Sequence, residues 1–211
     1  MNTMQKSKEY FAKVAADWDE IRSGYFTDEM RDAAITLADL APDDIVVDMG
    51  TGTGFMIQGL APRVTSVYGF DESPEMLVVA RRNLAKYDNV DLREAQDGRL
   101  PLPDASVDAV FGNMYLHHTP EPATAIIEMA RVLHPGGKLV LTDLDTHDQS
   151  WMREEMADRW LGFDRDDIRN WFSLAGLSDI RVDCAEGKCS TTSPQGKDLN
   201  LSIFVAFGIK I

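Results

Sequence analysis

Apolar and polar positions along this chain follow two rhythms. Short β-branched runs read as strands: DIVVDMG, VTSVYGFD, NVDLREA, SVDAVFGN and KLVLTDL. Between them lie stretches of helical period. Tyr10, Val14 and Trp18 recur at helical spacing in EYFAKVAADWDEI, which predicts one helix ahead of the first strand. Thr27 is a plausible N-cap for a second helix through MRDAAITLADL. A helix from about Gly54 to Leu60 follows the first strand. Ser73 and Pro74 supply an N-cap and a first helical residue for the next. PATAIIEMARVL places Ile126, Ile127, Ala130 and Leu133 on one face, and HPGG is expected to stop it. WMREEMADRW and DRDDIRNWFSLAGL read as helices, the second ended by Gly176. DIRVDCA and LSIFVAFGIK read as a last pair of strands, antiparallel because no helical pattern separates them.

Strands alternating with helices predict an α/β fold with a parallel sheet covered on both faces and an antiparallel addition at one edge. Ligands of such sheets bind beyond the carboxyl ends of the strands, where strand order reverses. Chemistry is therefore expected at residues 48–54, 71–73, 95–97, 112–118 and 142–147.

Composition narrows the partners. The formal charge of −14 repels nucleic acid and anionic membrane surfaces. The densest basic cluster, Arg81, Arg82 and Lys86, reads as a solvated helix face. MNTMQKSKEY lacks the apolar core of a signal peptide, and no apolar run is long enough to span a bilayer. A cytoplasmic protein without membrane insertion is expected. Two cysteines, Cys184 and Cys189, fit a reducing compartment and read as buried small hydrophobes. No repeat or linker marks a boundary, so 1–211 is expected to be a single domain.

VVDMGTGTG carries the sharpest signal. A dinucleotide fingerprint needs a small residue where Phe55 or Ile57 stands, and a P-loop needs a lysine that is missing. What remains is D-x-G-x-G-x-G from Asp48 to Gly54. An acidic loop suits a cationic ligand, an ammonium or a sulfonium, better than a pyrophosphate. Asp71 ends the second strand and can accept bonds from two ribose hydroxyls. Its bland alternative is a helix-dipole partner.

The ordered set VVDMGTGTG, VYGFDESPEML, LPLPDASVDAVFGNMYLHH and ARVLHPGGKLVLTD resembles the class I S-adenosylmethionine-dependent methyltransferases. The resemblance is strongest to the small-molecule branch with ubiquinone/menaquinone-biosynthesis, arsenite and ArsR-associated enzymes. It covers residues 41–145 closely and the rest more loosely. It implies a Rossmann-like seven-stranded, mostly parallel sheet with an antiparallel last strand. Residues 1–40 would then be a helical lid, 41–145 the cofactor core, and 146–211 substrate-side helices and edge strands. It also implies S-adenosylmethionine as cofactor, leaving S-adenosylhomocysteine as product. Asp48, Gly50, Thr51, Gly52 and Gly54 would hold the methionine end and Asp71 the ribose. Glu72 would lie by the adenine, where relatives often have an apolar residue. Gln96, with Asp97 beside it, would accept from the adenine amino group, and Asn113 would face the methionine end.

The acceptor side is harder to read. His117 is the candidate base or hydrogen-bond partner. His118 beside it should point away, because neighbours on a strand-to-loop segment diverge, so no metal is expected there. Tyr10, Trp18, Tyr25 and Phe26 look like a lid or pocket wall, with core packing the alternative. Trp151, Met152, Trp160 and Phe163 could line the acceptor pocket or pack the sheet. Asp143, Asp145, His147 and Asp148 read as acids at a helix N-terminus rather than a cation site. The reading is methyl transfer to a small molecule by in-line displacement. Its alternatives are a non-catalytic S-adenosylmethionine sensor and, as a minority reading, metalloid methylation. The Asn/Asp-Pro-Pro-aromatic signature of amino-methylating enzymes is absent; GNMYLHH stands in its place. Nothing in the sequence separates a monomer from a homodimer.

Overall fold

A computed structural model of the chain describes residues 3–23, 26–95, 98–185, 191–192, 198–199 and 201–211. Helices α1 (Thr3–Val14), α2 (Trp18–Ser23) and α3 (Asp28–Leu37) precede strand β1 (Ile45–Met49). Then come α4 (Phe55–Leu60), β2 (Ser66–Asp71), α5 (Pro74–Asn83), β3 (Val90–Glu94) and β4 (Val107–Asn113). A 3₁₀ turn over Leu116–His118 leads to α6 (Pro122–Val132) and β5 (Leu133–Leu144). The remainder is α7 (Met152–Glu155), α8 (Arg165–Leu174), β6 (Leu177–Cys184), a two-residue ladder of β7 (Thr191–Thr192) with β8 (Asp198–Leu199), and β9 (Ile203–Lys210).

Seven strands form one sheet in the order β3-β2-β1-β4-β5-β9-β6. The first five run parallel, and β9 runs antiparallel to both β5 and β6. The expected α/β sheet with its antiparallel last strand is therefore present. Strand order reverses between β1 and β4, so their carboxyl ends open a crevice. Val46 and Val47, neighbours on β1, are both fully buried and belong to opposite core layers. That two-sided burial is why β1 reads as an unbroken apolar run rather than an alternation.

The two predicted caps are in place, and a third, not foreseen, starts α8. The Thr27 and Ser73 hydroxyls accept from the backbone N–H of Met30 and Met76, and Asp164 caps α8 from the Asp166 N–H. Other expectations fail for identifiable reasons. The first predicted helix is two helices broken at residues 15–17. The break lets Asp19 of α2 reach the rim of the loop after β1, where it accepts hydrogen bonds from Thr53 Oγ1 at 2.7 Å and Asn83 Nδ2 at 2.9 Å. HPGG does not merely stop α6; Leu133 already pairs with Val107, and the segment is a bulged start to β5. Ile127 is half exposed, while Met129 joins Ile126 and Ala130 in the core. WMREEMADRW is helical only over Met152–Glu155, because Ala157 takes a left-handed conformation at φ 59°. Cys184, expected as an unpaired buried thiol, is half-buried and disulfide-bonded. Cys189 lies outside the described residues.

Candidate functional site

The glycine loop is tied to the end of β2. Gly50 and Thr51 N–H groups both donate to the Phe70 carbonyl, at 2.8 and 2.9 Å. Gly52 N–H donates to Asp71 Oδ2 at 2.7 Å, and Ser73 N–H to Asp71 Oδ1 at 2.8 Å. A carboxylate oxygen has more than one lone pair, so both Asp71 oxygens keep acceptor capacity for a ligand. Asp48 is buried at the foot of the loop. Its Oδ2 accepts from the Thr51 hydroxyl at 2.6 Å, whereas Oδ1 has no hydrogen-bond partner. Burial pushes the Asp48 carboxyl up to about 7, against the Thr51 hydrogen bond, and the Asp71 carboxyl up to about 6, against the two backbone bonds.

The glycines are needed for two different reasons. Gly50 sits at φ +73°, and a Cβ there would run into the Tyr115 side chain. Gly54, the left-handed N-cap of α4, would meet Leu84. Around Gly52 only Trp18 Nε1 comes near, at 3.8 Å. Only at Gly52 does the missing Cβ leave open space; at the other two it makes room for protein.

These residues wall one end of a cavity of about 580 Å³, within the usual range for small-ligand sites. Asp48, Gly50, Thr51, Gly52, Asp71, Glu72 and Asn113 all line it, and Gly54 does not. Asn113 Oδ1 accepts from the Thr142 hydroxyl at 2.6 Å. Trp18, Phe11 and Phe26 form the roof. The N-terminal helices are pinned by the Asp19 bonds, by Lys8 lying 4.0 Å from Glu72, and by Tyr10 Oη donating to Met156 Sδ at 3.5 Å. Tyr10 itself is absent from the described lining. Gln96, Asp97 and Tyr25 lie outside the described residues.

At the other end stand both histidines. They do not diverge: the 3₁₀ turn brings their ring centroids to 4.0 Å, and Phe11 packs edge-on against His118 at 4.8 Å. His117 Nδ1 meets Asp143 Oδ1 at 2.7 Å, while Asp143 Oδ2 accepts from the Leu116 and His117 N–H groups at 2.8 and 3.3 Å. Burial works against the His117 imidazolium, but the Asp143 charge and hydrogen bond and the Asp158 charge together raise it to about 9. Burial, then the charge of His117, holds His118 well below the ordinary histidine range. Asp158 lies between them, 3.8 Å from His117 Nε2 and 3.9 Å from His118 Nδ1, with Oδ2 buried and unpartnered. The left-handed turn at Ala157 puts it there, and Arg159 N–H locks the turn on the His117 carbonyl at 2.9 Å.

The acidic group after β5 does not gather at a helix start. Asp143 serves His117. Asp145 binds Arg165 through two bonds of 2.7 and 2.6 Å, and Asp148 turns to Gln149. Trp151 packs against the core and bonds Gln149 instead of lining the cavity. Trp160 donates to the Thr119 carbonyl and Phe163 is core, so Met152 and Met156 are the wall on this side. Asp158, Met156 and Tyr115 were missed. Asp158 stands inside an apparently helical run, and no residue there signals that the helix unwinds.

Residues 47–141 match a family described as a methyltransferase domain. The chain is 32% identical over 166 residues to 2-methyl-6-phytyl-1,4-hydroquinone methyltransferase 1 of Oryza sativa, which covers 77% of this chain and 50% of that protein. It is 38% identical over 112 residues to arsenite methyltransferase of Halobacterium salinarum, covering 51% and 29%. The chain thus spans half or less of the length of these relatives. Its fold is that of Haemonchus contortus phosphoethanolamine N-methyltransferase 2 in complex with S-adenosyl-L-methionine, with a TM-score of 0.75 at 16% identity, covering 94% of this chain and 57% of that one.

Proposed function

We propose that this chain, whose residues 47–141 match a methyltransferase domain, is a class I S-adenosylmethionine-dependent enzyme that transfers a methyl group to a small-molecule acceptor. The observation that carries this reading is a single cavity joining the acidic glycine loop to the His117–Asp158 end. S-adenosylmethionine, when bound, supplies a methyl group on a positively charged sulfur.

The residues fit that group. Asp48 Oδ1 is a buried acceptor in want of a donor, as an ammonium would be. The open space over Gly52 admits a ligand against bare backbone. Asp71 would accept the ribose hydroxyls with its remaining lone pairs. Glu72, Asn113, Gln96 and Asp97 complete the proposed contacts. Trp18, Phe11 and Phe26 exclude water from above, which strengthens every charge contact inside. The chain's task is then alignment and desolvation.

His117 is poorly suited to take a proton from the acceptor, since Asp143 and Asp158 favour a proton already on its ring. Its role in this reading is to shape and polarise the acceptor end. A small acceptor agrees with the cavity and with the hydroquinone-methylating relative. Among the described residues no helix is long and apolar enough to cross a membrane. We read the domain as acting on a diffusible or surface-presented acceptor.

An acceptor screen with labelled S-adenosylmethionine, spanning hydroquinones, thiols and arsenite, tests the proposal. Label appearing in none of them, with S-adenosylhomocysteine still bound, would move the chain to a sensing role. Two binding results are expected. Asp71→Ala should weaken S-adenosylmethionine at least about tenfold, about 1.4 kcal/mol; an unchanged Kd removes the ribose assignment. Affinity should also fall with pH. Asp48 and Asp71 have raised values of about 7 and about 6, so each is protonated below its value; Asp48 must lose that proton to meet the ammonium, and Asp71 to keep both oxygens as acceptors for the ribose hydroxyls. Binding is therefore full above about pH 8 and weakens towards about pH 5.5. A flat Kd by calorimetry across that window would exclude Asp48 as the ammonium's partner and Asp71 as the ribose acceptor.

A further inference from the structure

We propose that His117, His118 and Asp158 form a divalent-cation site at the acceptor end of the cavity. Among the described residues, only these three groups bring ligand atoms within 4.8 Å of one another. His117 Nε2 and His118 Nδ1 face the same Asp158 oxygen at 3.8 and 3.9 Å. Donors sharing a tetrahedral zinc at about 2.0–2.2 Å stand roughly 3.3–3.6 Å apart. The two carboxylate–imidazole separations are longer by a few tenths of an ångström, the full set spans up to 4.8 Å, and His118 Nδ1, now 3.4 Å from the Ala157 carbonyl, would turn to the ion as the set closes.

Three further features point to an ion rather than to chance proximity. The Asp158 side chain is 1% exposed, yet its Oδ2 has no partner. A buried unpaired carboxylate oxygen is costly, and a metal is one of the few ligands that satisfies it. Asp143 sits on His117 Nδ1 at 2.7 Å, away from the cavity. That bond keeps the Nδ1 proton in place, so a cation arriving at Nε2 displaces the proton held there towards Asp158, giving the carboxylate–histidine–metal arrangement. Finally, two carboxylates, Asp143 behind and Asp158 in front, bring negative charge to the paired imidazoles. Arg159, whose charge reaches His118, is the opposing cation.

Two imidazoles and one carboxylate suit Zn²⁺, Co²⁺ or Fe²⁺ better than Mg²⁺, which prefers an all-oxygen shell. With three protein ligands the ion keeps open positions, and the cavity supplies the room for an acceptor oxygen or sulfur there. The binding claim does not depend on the methyltransferase reading.

The test is a titration of the chelator-treated, tag-free full chain with Co²⁺ and Zn²⁺. One ion per chain is expected, with Co²⁺ visible absorption bands appearing up to one equivalent. Asp158→Asn and His118→Gln should each weaken Zn²⁺ about tenfold or more, whereas His134→Gln, an exposed position on β5, should not. S-adenosylhomocysteine binding by each variant reports whether it folds and tests the cofactor reading separately. Absence of Co²⁺ bands in the unaltered chain overturns the site whatever the variants do. Equal Zn²⁺ affinity in folded Asp158→Asn overturns it as well.

Discussion

Asp143→Ala is expected to cost about 3–5 kcal/mol of folding stability, the range for removing one partner of a buried pair. Asp143 is fully buried at the end of β5. Its Oδ1 takes the Leu144 N–H at 2.7 Å besides the His117 ring, and its Oδ2 takes the Leu116 and His117 N–H groups. Alanine strands all of these donors in the interior. A domain is stable by only about 5–15 kcal/mol, so the midpoint of urea unfolding should move far to the left. Asp143→Asn keeps the shape but turns an amide N–H₂ towards groups that are themselves donors, and should recover only part of the loss. An unfolding midpoint within error of the parent would mean that the 3₁₀ turn is held by packing alone.

Gly50→Ala is expected to damage both stability and cofactor binding. A left-handed alanine costs about 1–2 kcal/mol, and crowding against packed side chains adds about 1–3 kcal/mol. The crowding partner is Tyr115, which packs against the core beside the sheet. It cannot yield without disturbing the turn that carries His117. Gly52→Ala separates the two effects. Its φ of +51° brings the backbone cost, but its surroundings are open. It should lose S-adenosylmethionine affinity with a smaller fall in Tm. Equal behaviour of the two variants in calorimetry and in binding would contradict the different origins assigned to these glycines.

Much of the architecture was legible because burial leaves a mark on composition. β1, β4 and β5 are apolar on both faces, and Thr27 and Ser73 announce helix starts through side-chain chemistry that backbone N–H groups require. The glycine loop was legible for the same reason, as positive φ values favour glycine. The acceptor end was not. Ala157 adopts a positive φ without any residue-type signal, and Asp158 follows it out of a run whose periodicity says helix. The pairing of His117 with His118 depends on a 3₁₀ turn, where neighbours can face one another, rather than on an extended segment, where they cannot. Tertiary contacts decide such local choices, and they decided the break between α1 and α2 through Asp19.

The Asp19 clasp has a kinetic consequence. It fastens α2 to Thr53 at the rim of the glycine loop and to Asn83 on α5. The clasp holds Trp18 at that rim, its Nε1 being the group nearest the open space at Gly52. Under the proposed methyl transfer, exchange of the nucleoside should need this clasp to loosen, and Asp19→Ala should speed S-adenosylhomocysteine release. Equal release rates in the two chains by stopped flow would show that the clasp plays no part in exchange.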